Sequence, residues 1–560
     1  MTEEDGGGRE NREGAMKPRA DGDGMDRRGF LGVGALSGAA ALSGACQPAS
    51  KPDASGEADA FRVPAFEFEE STVAELREKM TSGKLTARRL TEAYLARIEA
   101  LDGQGPTLRS VIETNPEALS IADALDQERK DTGPRGPLHG IPVLLKDNID
   151  TADQLTTTAG SLALEGSIPT QDSYVAQRLR EAGAVVLGKA NLSEWANFRS
   201  EQSTSGWSGR GGRCRNPYAL DRNPCGSSSG SGVATSASLC ALAVGTETNG
   251  SVVCPSTANG IVGIKPTVGL VSRAGIIPIS HTQDTAGPMT RTVADAAVLL
   301  TALAGADPRD EATAAARGHV ADYTTALDPG ALKGARIGVA RKMAGFHPAV
   351  DVLLEEALAE LGRQGAEIVD PADLPDLDEL PSYPVLLYEF KANLNAYFAS
   401  LGPQAPVKTL QEAIAFNEAH RNQEMPYFGQ DIFHKAQEKG PLTTPEYREA
   451  LETCRRMTRK EGLDAVFEEH RLDALVAPTG APAWMTDLVN GDHYVGGSST
   501  PAAVSGYPNM TVPMGFVSGL PVGLSFMGLA WTEPKLIGLA YAFEHATKHR
   551  RPPRLLPTVL

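Results

Sequence analysis

The chain has 560 residues, 41% of them apolar, and carries 70 acidic against 53 basic side chains for a net charge of −17. That composition feeds a large buried core and excludes a chain that stays unfolded, while the acidic balance argues against nucleic acid or an anionic membrane as partner, since both want a basic face. Six cysteines (Cys46, Cys214, Cys225, Cys240, Cys254, Cys454) form no CxxC pair and no His/Cys cluster at zinc spacing, so no metal and no cofactor is expected and the thiols read as buried apolar groups. Cys214 and Cys225 stand close enough in sequence to be a candidate disulfide pair.

In chain order, residues 1–49 read as a leader. A Gly-rich charged stretch without apolar periodicity precedes Arg27-Arg28-Gly29-Phe30-Leu31 and a mild apolar run from Gly32 to Ala45. The run is too short and too rich in small residues to span a membrane in the mature protein, so a twin-arginine-type signal and an exported, periplasmic or extracellular protein are expected. Met16 and Met25 are alternative starts, and LSGAC ending at Cys46 resembles a lipoprotein box with Ser43 where a large aliphatic residue is usual. A protein exported after folding in the reducing cytoplasm has less reason to carry disulfides. Residues 50–60, rich in Pro, Ser, Gly and Asp, read as a linker, and 61–558 as one large domain.

Ser71 is the expected N-cap of a helix with Val73, Leu76 and Met80 on one face, and Thr86 opens a second helix with Leu90, Tyr94, Ile98 and Leu101. Short apolar runs then alternate with helical patterns: IPVLL (141–145), AVVLG (184–188), RIGVA (336–340), ALVAP (474–478), NMTVP (509–513) and PVGLSFMG (521–528). This alternation predicts an α/β protein with a mixed central β-sheet flanked by α-helices. Residues 350–470 read as an inserted block of amphipathic, aromatic-bearing helices that lines a cleft or packs the core.

The segment from Asn223 to Ser256, NPCGSSSGSGVATSASLCALAVGTETNGSVVCPS, concentrates serine and glycine. Gly226-Ser227-Ser228-Ser229-Gly230 satisfies GxSxG, which would make Ser228 a nucleophile, but the elbow needs a preceding strand and NPYALDRNPC holds two prolines. There is no GxxxxGK[ST] and no strand-GxGxxG-helix arrangement for phosphate. A flexible linker is excluded because VATSASLCALAVGT follows as a compact helix of small residues. What is left is an active-site wall whose glycines let main-chain N–H groups converge.

Here the sequence resembles the amidase signature family of serine amidohydrolases. Its GGSSGGS-like loop and GTDTGGS are similar to Cys225-Gly226-Ser227-Ser228-Ser229-Gly230-Ser231 and Gly245-Thr246-Glu247-Thr248-Asn249-Gly250-Ser251. GIPVLLKDN (140–148), GIVGIKPTVGLVSRAGIIPIS, DTAGPMTRTVADAA, YPNMTVPMG and GLPVGLSFMG match in order, over about residues 60–555. The resemblance implies the amidase signature fold and a Lys, Ser, Ser triad of Lys146, bridging Ser227 and nucleophilic Ser251. It further implies a cis Gly226–Ser227 peptide and an oxyanion hole from the main-chain N–H groups of Thr248, Asn249, Gly250 and Ser251.

Amide hydrolysis needs an activated hydroxyl, a proton shuttle and oxyanion donors, and all three can be assigned without histidine. Lys146, buried at a strand end without a carboxylate partner, would have a lowered pKa, with Asp147 turned to the other side by strand alternation. Asn249 stands where glycine is usual, and Asn tolerates positive φ. Ser228, Ser229 and Ser231 are expected to hold the loop by hydrogen bonds. Cys225, Val253 and Cys254, in place of the commoner Gly, Arg and Ile, look most like the peptide amidase branch, which implies deamidation of C-terminal peptide amides with release of ammonia. A broad aliphatic or aryl acylamidase is the alternative enzyme, and a non-catalytic exported peptide-binding protein the alternative of another class. The amidotransferase A subunit shares the triad but is cytosolic, which the export signal contradicts. A small-molecule or peptide amide is the expected partner, with the protein a monomer or homodimer.

Overall fold

The computed structural model describes residues 64–559; the leader, the linker and the first residues of the domain lie outside that range. Its strands, in chain order, are β1 (Val111–Thr114), β2 (Pro142–Lys146), β3 (Val185–Ala190), β4 (Trp207–Ser208), β5 (Gly212–Arg213), β6 (Leu242–Glu247), β7 (Val262–Lys265), β8 (Thr285–Thr290), β9 (Arg336–Val339), β10 (Glu367–Val369), β11 (Ala474–Pro478), β12 (Asn509–Val517) and β13 (Leu520–Met527). Eleven make one sheet in the order β1-β3-β2-β6-β8-β7-β12-β13-β11-β9-β10, while β4 pairs with β5 apart from it. The sheet is mixed: β2 runs parallel to β3 and β6, and β9 parallel to β10 and β11, with antiparallel pairing elsewhere. Helices flank it, so the expected α/β architecture is the observed one.

The six apolar runs all become strands. PVLLK, LAVGTE and LPVGLSFM are buried along their whole length, as strands covered on both faces must be. Their side chains join Leu76, Leu90 and Tyr94 of the N-terminal helices in a core that continues to Phe526 and Phe543.

Several local expectations need correction. The first helix, Val73–Thr81, is capped by Thr72, not Ser71: the Thr72 hydroxyl accepts from Glu75 N–H and the Glu75 carboxylate accepts from Thr72 N–H, a reciprocal capping box. The carbonyl of Ser71 is taken by Arg291 (2.8 Å). Thr86 caps the second helix as expected.

The small-residue run is not one helix. Helix Ser229–Ser236 ends before Ser238, which adopts φ 54°, and Leu242–Glu247 enters the sheet between β2 and β8. A β-branched and glycine-bearing string buried on both faces fits a central strand better than a helix.

The 350–470 block is not purely helical either, because Glu367–Val369 pairs parallel with β9 as the sheet's edge strand. Its helices Ser382–Ser400, Leu410–Ala419 and Asp431–Gln437 close over a second core containing Trp195, Phe198, Phe390, Phe398 and Phe433. A buried guanidinium fixes that layer to the body: Arg199 pairs with Glu194 (2.6 Å) and lies near Glu424 (3.7 Å), and Glu424 accepts from the Ser161 hydroxyl (3.0 Å). Burial pushes the Glu194 carboxyl well above its ordinary range, against the opposing pull of the Arg199 guanidinium.

Close backbone approach at the centre of the sheet is set by glycine. Gly287 of β8 lies opposite Gly245 of β6, and a Cβ at 287 would run into the Ile264 carbonyl of β7. Gly287→Ala is therefore expected to lower stability by about 1–3 kcal/mol, read as a lower thermal unfolding midpoint; an unchanged midpoint would contradict this packing.

Candidate active site

Strands β2 and β6 are parallel neighbours, and their C-terminal ends present Lys146, Thr246 and Glu247 side by side. In open α/β sheets this end is where ligands bind. Lys146 is fully buried; its amine donates to the Ser227 hydroxyl (2.8 Å), the Thr246 hydroxyl (2.8 Å) and the Thr246 carbonyl (3.2 Å). Burial pushes the amine down to about 7, against the opposing pull of the Asp284 and Glu247 carboxylates. No carboxylate among the described residues forms an ion pair with it. Asp147 does point away, accepting from Gly160 N–H (3.1 Å) and the Thr158 hydroxyl.

Ser227 is buried and follows a cis Gly226–Ser227 peptide. Ser193 N–H donates to its carbonyl (3.0 Å). A side chain at 226 would collide with the Ser193 hydroxyl, which explains the glycine. The neighbouring serines are structural. Ser228 donates to the Thr246 carbonyl (3.0 Å) and accepts Thr246 N–H (3.2 Å), Ser229 donates to the Cys225 carbonyl (2.6 Å), and Ser231 donates to the Val244 carbonyl (3.1 Å). Ser228 precedes a helix without a strand before it, so the nucleophile-elbow geometry is missing.

Ser251 is half-buried in the loop between β6 and helix Val253–Ala258. Glu247 shapes this loop: its carboxylate accepts from the N–H groups of Gly250 (2.8 Å), Val252 (2.8 Å) and Val253 (3.1 Å). The Gly250 amide, one of the four expected oxyanion donors, is thus engaged with Glu247. The Thr248, Asn249 and Ser251 amides make no hydrogen bond to another described residue. Asp284 braces the loop from behind, accepting from the Thr248 hydroxyl (2.6 Å), and burial pushes its carboxyl up to about 6.

Asn249 also departs from expectation. The left-handed residue of this loop is Gly250 (φ 83°), and Asn249 instead uses its side chain, accepting from the Ser499 hydroxyl (2.7 Å) and donating to Thr500 (3.2 Å). The cysteines need correction too. Cys214 is a buried free thiol, and the disulfide joins Cys225 to Cys254, whose Cα atoms lie 6.0 Å apart. The sheet, not sequence proximity, brings these two loops together.

Ser227, Gly250 and Ser251 face one open cavity of about 550 Å³, within the usual range for a small-molecule site. Its walls come from Asn197–Ser205, from Trp484 and Asn490–Asp492 of the loop after β11, and from Ile432 of the helical layer. The lining is mainly uncharged and polar, with two carboxylates, Glu201 and Asp492. Thr246, Glu247, Asp284 and the disulfide were not singled out from sequence, although Thr246 and Glu247 sit inside GTETNGS. The available signal was an acidic residue ending a fully buried strand and followed by a glycine loop.

The amidase family matches residues 89–537. The chain is 42% identical over 514 residues to a "probable amidase" of Arabidopsis thaliana, covering 90% of this chain and 95% of that protein. Among solved structures, native peptide amidase from Stenotrophomonas maltophilia is 54% identical with TM-score 0.83, covering 87% of this chain and 99% of that one. Peptide amidase in complex with the competitive inhibitor chymostatin is 55% identical with TM-score 0.85, covering 87% and 100%. The chain belongs to the amidase family, and it is an amide-hydrolysing enzyme.

The Glu247 clamp makes a prediction that does not depend on the substrate. Glu247→Gln turns one acceptor oxygen into a donor facing N–H groups, a cost of about 1–3 kcal/mol, so amide hydrogen exchange across 248–254 is expected to quicken about 5- to 150-fold. Unchanged exchange would show that the carboxylate does not hold the loop.

Proposed function

We propose that the protein hydrolyses the C-terminal amide of peptides, releasing ammonia, through Lys146, Ser227 and Ser251. The observation that carries this reading is the buried Lys146 amine, held down to about 7 and 2.8 Å behind the Ser227 hydroxyl, with Ser227 and Ser251 lining one cavity. A neutral amine at working pH can accept a proton, which an ordinary surface lysine cannot.

In the proposed reaction Ser251 Oγ attacks the amide carbon while its proton passes to Ser227 and the Ser227 proton passes to Lys146. The oxyanion forms against the N–H groups of Thr248, Asn249 and Ser251, whose positions are set in advance by Glu247 and Asp284. Lys146 then returns its proton through Ser227 to the leaving nitrogen, the C–N bond breaks, and ammonia departs from an acyl-Ser251 ester. Water attacks that ester by the same relay and frees the carboxylic acid.

The peptide part of the reading is supported by the similarity to peptide amidases and by a cavity large enough for more than the reacting amide. Export, from the twin-arginine segment at Arg27-Arg28, is likewise proposed; that segment lies outside the described residues. The disulfide fits an oxidising destination, which preserves such a bond, and runs against the expectation that a chain folded before export carries none.

An amide panel with ammonia detection tests the substrate: amidated peptides should release ammonia faster than simple aliphatic or aryl amides, and the reverse order would favour an acylamidase. Ser251→Ala should lower kcat by about 10⁴-fold or more, whereas Ser228→Ala should retain appreciable activity. The opposite pattern would restore Ser228 as nucleophile. Lys146→Ala should be nearly inactive at neutral pH and regain part of its rate in alkaline buffer, where hydroxide stands in for the missing base.

A further inference from the structure

Cys225 lies two residues before Ser227, and Cys254 three residues after Ser251. Their disulfide therefore joins the two loops that carry the hydroxyls of the proposed relay, and both cysteines line the cavity. Without it the loops meet through weaker links: Ser228 N–H on the Ser251 carbonyl (3.2 Å) and the Asn259 amide on the Pro224 carbonyl (2.9 Å). Cys225 also adopts φ 57°, a left-handed conformation that a residue with a side chain rarely takes and that glycine takes freely. Something must hold it there, immediately before Gly226 and Ser227. Its N–H donates to Asn223 (2.8 Å) and its carbonyl accepts from Ser229 (2.6 Å), so the residue is pinned on both sides and through its sulfur.

We infer that the Cys225–Cys254 disulfide is a covalent clamp that sets Ser227 against Ser251, and that its reduction switches turnover down without unfolding the protein. The activity part of this inference rests on the relay proposed above. Cys225 and Cys254 are positioning residues, acting through the serines and not on substrate. Both cysteines are largely buried, 4% and 8% exposed, and the surface they keep lines the open cavity, which is the route by which a small dithiol reaches the bond. The chemistry is thiol–disulfide exchange with a dithiol: one thiolate attacks a cystine sulfur and expels the other cysteine, and the second thiolate attacks the resulting mixed disulfide at the reductant's sulfur and expels the remaining cysteine. The reductant ends as a cyclic disulfide, and its two electrons and two protons reside on two cysteine thiols.

The test compares the full protein oxidised, reduced with dithiothreitol and reoxidised, with thiols counted to show the bond open. Two readouts are followed: hydrogen exchange across 225–229 and 248–254, and kcat with KM on an amidated peptide. A misplacement of about 1 Å costs on the order of 10²-fold, so reduction should lower kcat roughly 10- to 100-fold with a smaller change in KM. Exchange in both loops should rise, the thermal midpoint should show a folded protein, and reoxidation should restore the rate. Cys225→Gly with Cys254→Ser, which frees the backbone conformation from the covalent link, should give an enzyme that dithiothreitol does not alter.

A reduced protein with unchanged exchange and unchanged kcat overturns the clamp. So does loss of activity only through global unfolding, or an equal effect of dithiothreitol on the double variant. If the oxidised protein releases no ammonia and Ser251 is not labelled by a fluorophosphonate, the proposed relay fails, and loop exchange alone then decides whether the clamp exists.

Discussion

The structure turns on one lysine amine, fully buried and without an ion-paired carboxylate among the described residues, at the end of a fully buried strand. Desolvation disfavours the charged form, and the Asp284 and Glu247 carboxylates are close enough to moderate that effect but not to cancel it. Both acids are committed elsewhere: Glu247 accepts from three main-chain amides and Asp284 from the Thr248 hydroxyl and two further amides. Neither accepts a hydrogen bond from the amine. Lys146 is left with hydroxyl and carbonyl partners only, which is the environment a neutral amine can share.

The same saturation organises the main chain around the cavity. Ser228, Ser229 and Ser231 spend their hydroxyls on carbonyls, Glu247 gathers the amides at the start of the next helix, and Asn249 ties the loop to Ser499 and Thr500. The Thr248, Asn249 and Ser251 amides are what this scheme leaves over. A rigid frame with a few free donors is what an oxyanion requires, because preorganised groups need no rearrangement as charge develops.

Much of this was legible in the residues. The strands announced themselves as short apolar runs, and the ordered motifs around Lys146, Ser227 and Ser251 pointed to one family and one site. What was not legible depended on contacts between distant segments. The Cys225–Cys254 bond joins positions 29 apart that only the sheet makes neighbours, so the nearer pair Cys214 and Cys225 was the misleading candidate. The fate of the Gly250 amide depended on which way Glu247 turned, and the split of the small-residue run into helix and strand on burial from both faces. The leader expected from Arg27-Arg28 and Cys46 lies outside the described residues.

The pH dependence of kcat/KM on an amidated peptide tests the central claim most directly, because it reads the free enzyme's essential base. A lysine lowered from 10.5 to about 7 is protonated and idle below that pH and neutral above it. The rate should therefore climb tenfold per pH unit on the acid side, bend near pH 7 and level off above. A limb that bends near pH 10, as for an ordinary lysine, or near pH 4, as for a carboxylate base, would contradict the account.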